Sequence, residues 1–348
     1  MTHLFLRGTA ALALAAAISA PVLADDAALE RALKGKRVTI TVGFDAGGTY
    51  GLYSQLIAHH LQPLLPGKPT IVVQYMPGAG GIKASNYAFN VMPKTGLNLF
   101  MPPDTVVISN LLDPKSTRYK ADQFYYLGNT VQTNSVLVFR TDKNINTLAD
   151  LQKTPVLVGS TGTGSQTFLV PAMLNGVFGT KMKIIQGYQG SQKAMLAMEQ
   201  KETDGAALTW ASWTATRGKW FEAGYAKPVL QLGVNKDPAL TNLPMLSDLA
   251  VTEEQKQIVR FMSSLGAIGR SLTLPPKTPV QIADPMRAAF EKMATSKAFK
   301  DDANRRKLDV APMGGAELQK VVSEMMKVSP DVAKKAREAI MVKGRKSS

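Results

Sequence analysis

The chain contains no cysteine. That excludes disulfide staples, thiolate metal sites, a thiol nucleophile and a lipid anchor on an N-terminal cysteine. Histidine is almost as scarce, at three in 348 residues. His3 lies in the N-terminal leader described below, and His59-His60 are neighbours in a helical pattern, where adjacent side chains face different directions. Neither a metal pair nor a nucleophilic triad is therefore expected. No Gly-x-Ser-x-Gly elbow is present. The first Gly-rich turn, Gly43-x-x-x-Gly47-Gly48, lacks both the dinucleotide spacing and the Walker lysine. These absences argue against an enzyme, a metal and a nucleotide cofactor. Beyond the leader, no apolar run reaches transmembrane length.

What is present begins with that leader. Met1–Arg7 carries one positive charge, Ala10–Ile18 is apolar, and Val22-Leu23-Ala24 precedes Asp25-Asp26. The pattern predicts a secretory signal peptide over residues 1–24, cut near Asp25, with its product in the periplasm. The net charge is +15, falling by one when Arg7 leaves with the leader. The densest basic groups lie late, around 297–307 and 334–346, as solvated helix faces and a tail. Spread charge on an exported chain favours small anions over nucleic acid as a partner.

Two Gly-rich turns carry most of the functional information. Val38–Val42 runs into Gly43-Phe44-Asp45-Ala46-Gly47-Gly48-Thr49-Tyr50, and Val156–Val158 into Gly159-Ser160-Thr161-Gly162-Thr163-Gly164-Ser165-Gln166. Each joins a β-branched strand to a helix start, where unpaired N–H groups and the helix dipole favour an anion. Two such turns, well separated, suggest two lobes gripping one acidic small molecule.

Strand and helix patterns alternate along the chain at the spacing of parallel βαβ units. Strands are predicted at Thr70–Gln74, Leu97–Met101, Lys183–Ile185 and Ala206–Leu208. Phe124–Asn129 with Ser135–Arg140, and Val229–Val234, serve as crossings between lobes. From Glu253 onward the pattern is helical, broken by Leu274-Pro275-Pro276. The expected fold is therefore α/β, two-lobed, with hinge strands. Lobe one comprises residues 25–135 and 233–348, and lobe two 136–232.

Four segments, in order, resemble the Bug-type periplasmic receptors of tripartite tricarboxylate transporters. They are Val42-Gly43-Phe44-Asp45-Ala46-Gly47-Gly48, Met76-Pro77-Gly78-Ala79-Gly80-Gly81, Gly159–Ser165 and Gly187-Tyr188-Gln189-Gly190-Ser191. The resemblance implies a type II periplasmic-binding-protein fold that closes, as a Venus flytrap, on a carboxylated solute. It implies delivery of that solute to inner-membrane transporter subunits by a monomeric receptor. A ligand sensor presenting its closed state to a membrane histidine kinase is the alternative. Carried over from the family, the carboxylate contacts are Phe44, Ala46, Gly47, Gly48 and Thr49 in one lobe. In the other they are Ser160, Thr161, Gly162, Thr163, Gly164 and Ser165. The chain departs from the family pattern at Gly51, where an Asp is usual, and at Met76, where an Arg is usual.

Several further residues are candidates on their own chemistry. Tyr50 and Gln166 open helices beside the turns, and Tyr188 with Gly190 forms a turn at a strand end, where ligands collect in open sheets. Asp45 and Asp104 are acids near the cleft; either one facing it would disfavour a simple polycarboxylate and favour a monocarboxylate or a ligand with a donor group. All three tryptophans, Trp210, Trp213 and Trp220, share one helical face. Two roles remain open for Trp210: packing on the second lobe's sheet, or stacking on a planar ligand in the cleft wall.

Overall fold

The structure, a computed structural model, describes residues 20–343, with the side-chain surroundings of 27–342. Most of the expected signal peptide lies outside the described residues. A helix at Ala20–Leu33 runs through the expected cut and buries Leu29 and Leu33. Among the described residues, no helix is long and apolar enough to cross a membrane.

Eleven strands are described: β1 Arg37–Val42, β2 Thr70–Tyr75, β3 Asn98–Met101, β4 Tyr125–Asn129, β5 Ser135–Arg140, β6 Val156–Ser160, β7 Met182–Gln186, β8 Gly205–Thr209, β9 Ala226–Leu232, β10 Ser271–Leu274 and β11 Met313–Gly314. They form two sheets, ordered β11-β4-β10-β3-β1-β2 and β7-β6-β8-β5-β9. β1 pairs in parallel with β2 and β3, and β6 with β7 and β8. The inner strands β1 and β6 are largely buried and read as runs rich in β-branched residues, such as Val38-Thr39-Ile40-Thr41-Val42.

Apart from the edge strand β11, both sheets follow one plan. Each places its second, first and third strands side by side, then an antiparallel strand, then its fourth. In each sheet the antiparallel strand follows a crossing from the other: β5 after β4, and β10 after the chain returns from β9. The first strands, β1 and β6, thus occupy equivalent places, and each leads into one of the two Gly-rich turns.

β10 is a strand where the sequence reading expected only helices. Ser271-Leu272-Thr273-Leu274 does alternate polar and apolar residues, but over four positions, too few to separate a strand from a helical turn, and all four are buried. Its Thr273 pairs with both Phe100 and Tyr126, placing β10 between β3 and β4.

The first sheet's core gathers Val38, Ile40, Leu56, Leu99, Leu272 and Phe290, and the second's gathers Leu137, Phe139, Val158, Phe168 and Leu230. Ile108 and Leu112, from the helix Val106–Leu112 that follows β3, join the second core. So do Met262, Leu265, Ala336 and Ile340, from segments beyond residue 233 that were expected to return to the first lobe. Apolar packing therefore ties the second sheet to chain on both sides of its insertion.

Candidate functional site

All four Gly-rich turns meet between the two sheets, and they meet crosswise. The turn after β1 touches the turn after β7: Asp45 N–H donates to the Gln189 carbonyl at 3.3 Å. The turn after β6 touches the turn after β2: Gly80 N–H donates to the Thr161 carbonyl at 3.1 Å, and Gly164 N–H to the Ala79 carbonyl at 3.2 Å. The contact is so close that a Cβ on Gly80 would lie 2.5 Å from Ser165 N, and one on Gly162 would lie 2.6 Å from Gly80 N. Both glycines also hold positive φ, at 65° and 127°. Thr105 and Ser109 hydroxyls donate to the Gly164 carbonyl from the first-sheet side.

Behind this ring of turns lies a small cleft, with a cavity volume of about 30 Å³. Of the residues singled out in the sequence, Phe44, Gly48, Thr49, Tyr50, Asp104, Thr161, Ser165 and Gln166 line it. Thr167, Ser191, Leu208, Ser212 and Arg270 complete the wall. Hydroxyls dominate. Thr161 Oγ1 donates to Ser165 Oγ at 2.7 Å, Ser165 also contacts Thr167, and Thr49 meets Ser212 across the sheets at 2.7 Å.

The other expected contacts lie elsewhere. Ala46 is exposed and Gly47 half-buried against Gln192. Ser160 is buried behind the turn, accepting from Gly162 N–H at 3.2 Å. Gly162 and Gly164 spend their N–H groups on Ser160 and Ala79, so they join the turns rather than cradle an anion. Thr163 is half-buried outside the lining. The Tyr188 ring packs on Gly159, and Gly190 leaves room for the Asp45 carboxylate, whose Oδ1 would sit 2.0 Å from a Cβ there. Trp210 packs on Phe221 and lines a separate groove with Val131 and Leu308. Trp213 is fully buried and donates from Nε1 to the Val136 carbonyl at 3.1 Å. The tryptophan face is therefore chiefly core.

Arg270 is the residue that sequence reading missed. It precedes β10, is 1% exposed, and sits at the crossing, where Thr130 N–H donates to its carbonyl at 3.0 Å. Its Nη2 donates to Thr49 Oγ1 at 3.0 Å and to Thr209 Oγ1 at 3.1 Å, so it spans both sheets. Its Nη1 stands 3.5 Å from Asp104 Oδ2, and its guanidinium lies 4.0 Å over the Tyr50 ring. One signal pointed to it: Arg270 is the lone charged residue between Phe261 and Pro276. A buried cation needs a partner.

Asp104 is that partner, and it also accepts from Gln166 Nε2 at 2.9 Å. Burial pushes its carboxyl above the ordinary range, and Arg270 works against that shift. Burial also raises the Tyr50 phenol, with Asp104 adding to it. Tyr50 OH accepts from the Asp104 backbone N–H at 2.7 Å. Asp45 is raised by desolvation against the Gly48 hydrogen bond. Arg270 Nε, Gln166 Oε1 and Asp45 Oδ1 are buried with no partner among the described residues.

The cleft walls offer no histidine, and their one carboxylate, Asp104, is engaged by Gln166 and Arg270. The one grouping of potential metal ligands among the described residues is His59, His60 and Asp302. There His60 Nε2 lies 2.9 Å from Asp302, but Arg305 and Arg306 hold the same carboxylate at 3.2 and 3.0 Å. Two guanidinium groups already neutralise the acid, so the cluster is an ion-pair network.

Two like lobes closing on a hydroxyl-lined cleft define a solute-binding protein of the two-lobed periplasmic type. The model of the tripartite tricarboxylate transporter family receptor matches residues 58–337, and the chain belongs to that family. Receptors of this kind are not an enzyme class. The matched span begins after the first turn and includes the other three. No curated protein matches the chain. Among solved structures, the periplasmic binding protein BugD is similar, with a TM-score of 0.69 at 19% identity, covering 86% of this chain and 97% of that one. MatC from Rhodopseudomonas palustris with bound malate gives 0.67 at 18%, covering 86% and 99%. An R. palustris protein with adipate gives 0.68 at 18%, covering 86% and 97%. At such identity these likenesses speak for the fold alone.

Proposed function

We propose that the protein is a periplasmic receptor that binds a small organic carboxylate between its lobes and hands it to inner-membrane transporter subunits. The observation that carries this reading is the cleft itself. It lies between the lobes, is rich in hydroxyl groups and is reached by one cation, in a chain of a solute-receptor family. The malate and adipate named with two structural neighbours support a carboxylate as ligand.

On this reading residues 1–24 are a cleaved signal peptide and the receptor acts as a monomer. Residues 25–135 with much of 233–348 form one lobe, and 136–232 the other. Phe44, Gly48, Thr49, Tyr50, Thr161, Ser165 and Gln166 contact the ligand, with Ser212 and Arg270 added. Closure follows from contacts made to both lobes at once, because a ligand shifts the open–closed balance only by its difference in affinity for the two states.

A thermal-shift screen against carboxylic acids tests this. A ligand at 100 times its Kd stabilises by about 2.7 kcal/mol, which is readily visible. A response to carboxylates that Thr49→Ala with Ser165→Ala abolishes is expected. Silence toward every carboxylate, with a response to sugars or nucleotides, overturns the reading.

A further inference from the structure

The two charged residues of the cleft say more about the ligand than its carboxylate does. Asp104 and Arg270 are the only charged residues in the lining, and both are almost wholly buried. Their contact is a single long one, 3.5 Å from Nη1 to Oδ2, rather than a two-pronged bridge. Capacity is left over on both sides. Arg270 Nε is a buried donor without a partner, and Gln166 Oε1, beside Asp104, is a buried acceptor without one. A spare donor therefore lies by the cation and a spare acceptor by the anion. Leu208 and Phe44 supply apolar surface nearby.

Resting on the receptor reading above, we propose that Asp104 and Arg270 select a compact zwitterion, an α-amino acid with an uncharged side chain. The carboxylate takes the free Arg270 N–H with the neighbouring Thr49 and Ser212 hydroxyls. The ammonium takes Asp104 and the Gln166 carbonyl. An α-amino acid bears its ammonium and carboxylate groups on one carbon, close together like the Asp104–Arg270 pair, so each charge meets its opposite. A dicarboxylate fits poorly. Its second carboxylate finds no further cation in the wall and faces Asp104 instead, and burial magnifies that repulsion. A plain monocarboxylate satisfies Arg270 but leaves the Asp104 side unanswered.

The test is calorimetric titration of the purified protein with matched acids. Alanine, norvaline and leucine are set beside propanoate, pentanoate and 4-methylpentanoate, and beside the dicarboxylates from malonate to adipate. At least one amino acid is expected to bind roughly tenfold or more tightly than its deaminated counterpart and than every dicarboxylate. Asp104→Asn is expected to collapse that ratio, and a ratio taken on one preparation is insensitive to a partly folded fraction. Should that variant fail to fold, the wild-type ranking decides alone. A plain acid or a dicarboxylate binding more tightly than every amino acid overturns the inference and leaves the receptor reading standing. Binding of no acid of any kind overturns both.

Discussion

Deleting Arg270 is the perturbation whose effect the structure specifies most fully. The side chains of Arg270 and Asp104 are 1% and 3% exposed. Arg270→Met keeps much of the volume but leaves Asp104 as a buried charge held by Gln166 and its own neighbours. Removing one partner of a buried pair typically destabilises by about 3–5 kcal/mol. For a chain of this size that corresponds to a fall in Tm of roughly 5–10 °C. The loss should depend on pH. Burial already holds the Asp104 carboxyl above its ordinary range, so the folded form binds that proton more tightly than the unfolded chain does. A raised acid contributes stability that is full below the unfolded pKa and lost as pH rises through the folded value. Without Arg270 the folded value climbs further, so the deficit of Arg270→Met should be larger at mildly alkaline than at mildly acidic pH. Arg270→Met with Asp104→Asn removes both charges and should recover most of the stability, to within about 1–2 kcal/mol of wild type. Urea unfolding of the four proteins at both pH values measures this. A single variant costing less than about 1 kcal/mol, or a double variant equal to the sum of the singles, refutes the buried-pair argument.

Other outcomes follow from the same contacts. Gly162→Ala combines positive φ with a Cβ 2.6 Å from the opposing Gly80 N; it should weaken closure by about 1–3 kcal/mol. Small-angle scattering should show a more open liganded form, and an unchanged profile would sink the idea that these turns lock the lobes. Trp213→Ala should destabilise by about 3–5 kcal/mol in thermal unfolding, since the ring is fully buried. Trp210→Ala should leave ligand affinity unchanged in titration, because its ring lines a different groove. Asp302 is held well below the ordinary carboxyl range, first by Arg306 and then by His60. A lowered acid gives stability present above the unfolded pKa and lost as pH falls through the folded one. Acid unfolding of Asp302→Asn should therefore show a flatter decline on the acid side than wild type.

The sequence made the strand-turn-helix units legible because β1, β6 and their partners are β-branched runs ended by glycine, a local signal. It placed the four Gly-rich turns correctly on strand ends. What those glycines do was not legible. The anion-cradle argument holds for any glycine before a helix, whereas Gly80, Gly162 and Gly164 are required by backbone from the other lobe, some eighty residues away in sequence. The distinction is tertiary. β10 escaped because its alternation runs for only four residues, Ser271-Leu272-Thr273-Leu274, too short a stretch to stand out among the helical patterns around it. Arg270 escaped because its significance lies in Asp104, Thr49 and Thr209, all remote in sequence. Asp104 itself was flagged, and the structure brings it into the cleft, while Asp45 turns instead to Gly190 at the lobe junction.

The central claim is that one organic acid is held between the lobes. Calorimetric titration of wild-type protein with the acid giving the largest thermal shift, repeated on Thr49→Ala with Ser165→Ala, tests it most directly. The account predicts one ligand per chain, with affinity lowered roughly tenfold or more in the variant. Saturable binding unaltered by the paired substitution would place the ligand outside this cleft and contradict the account.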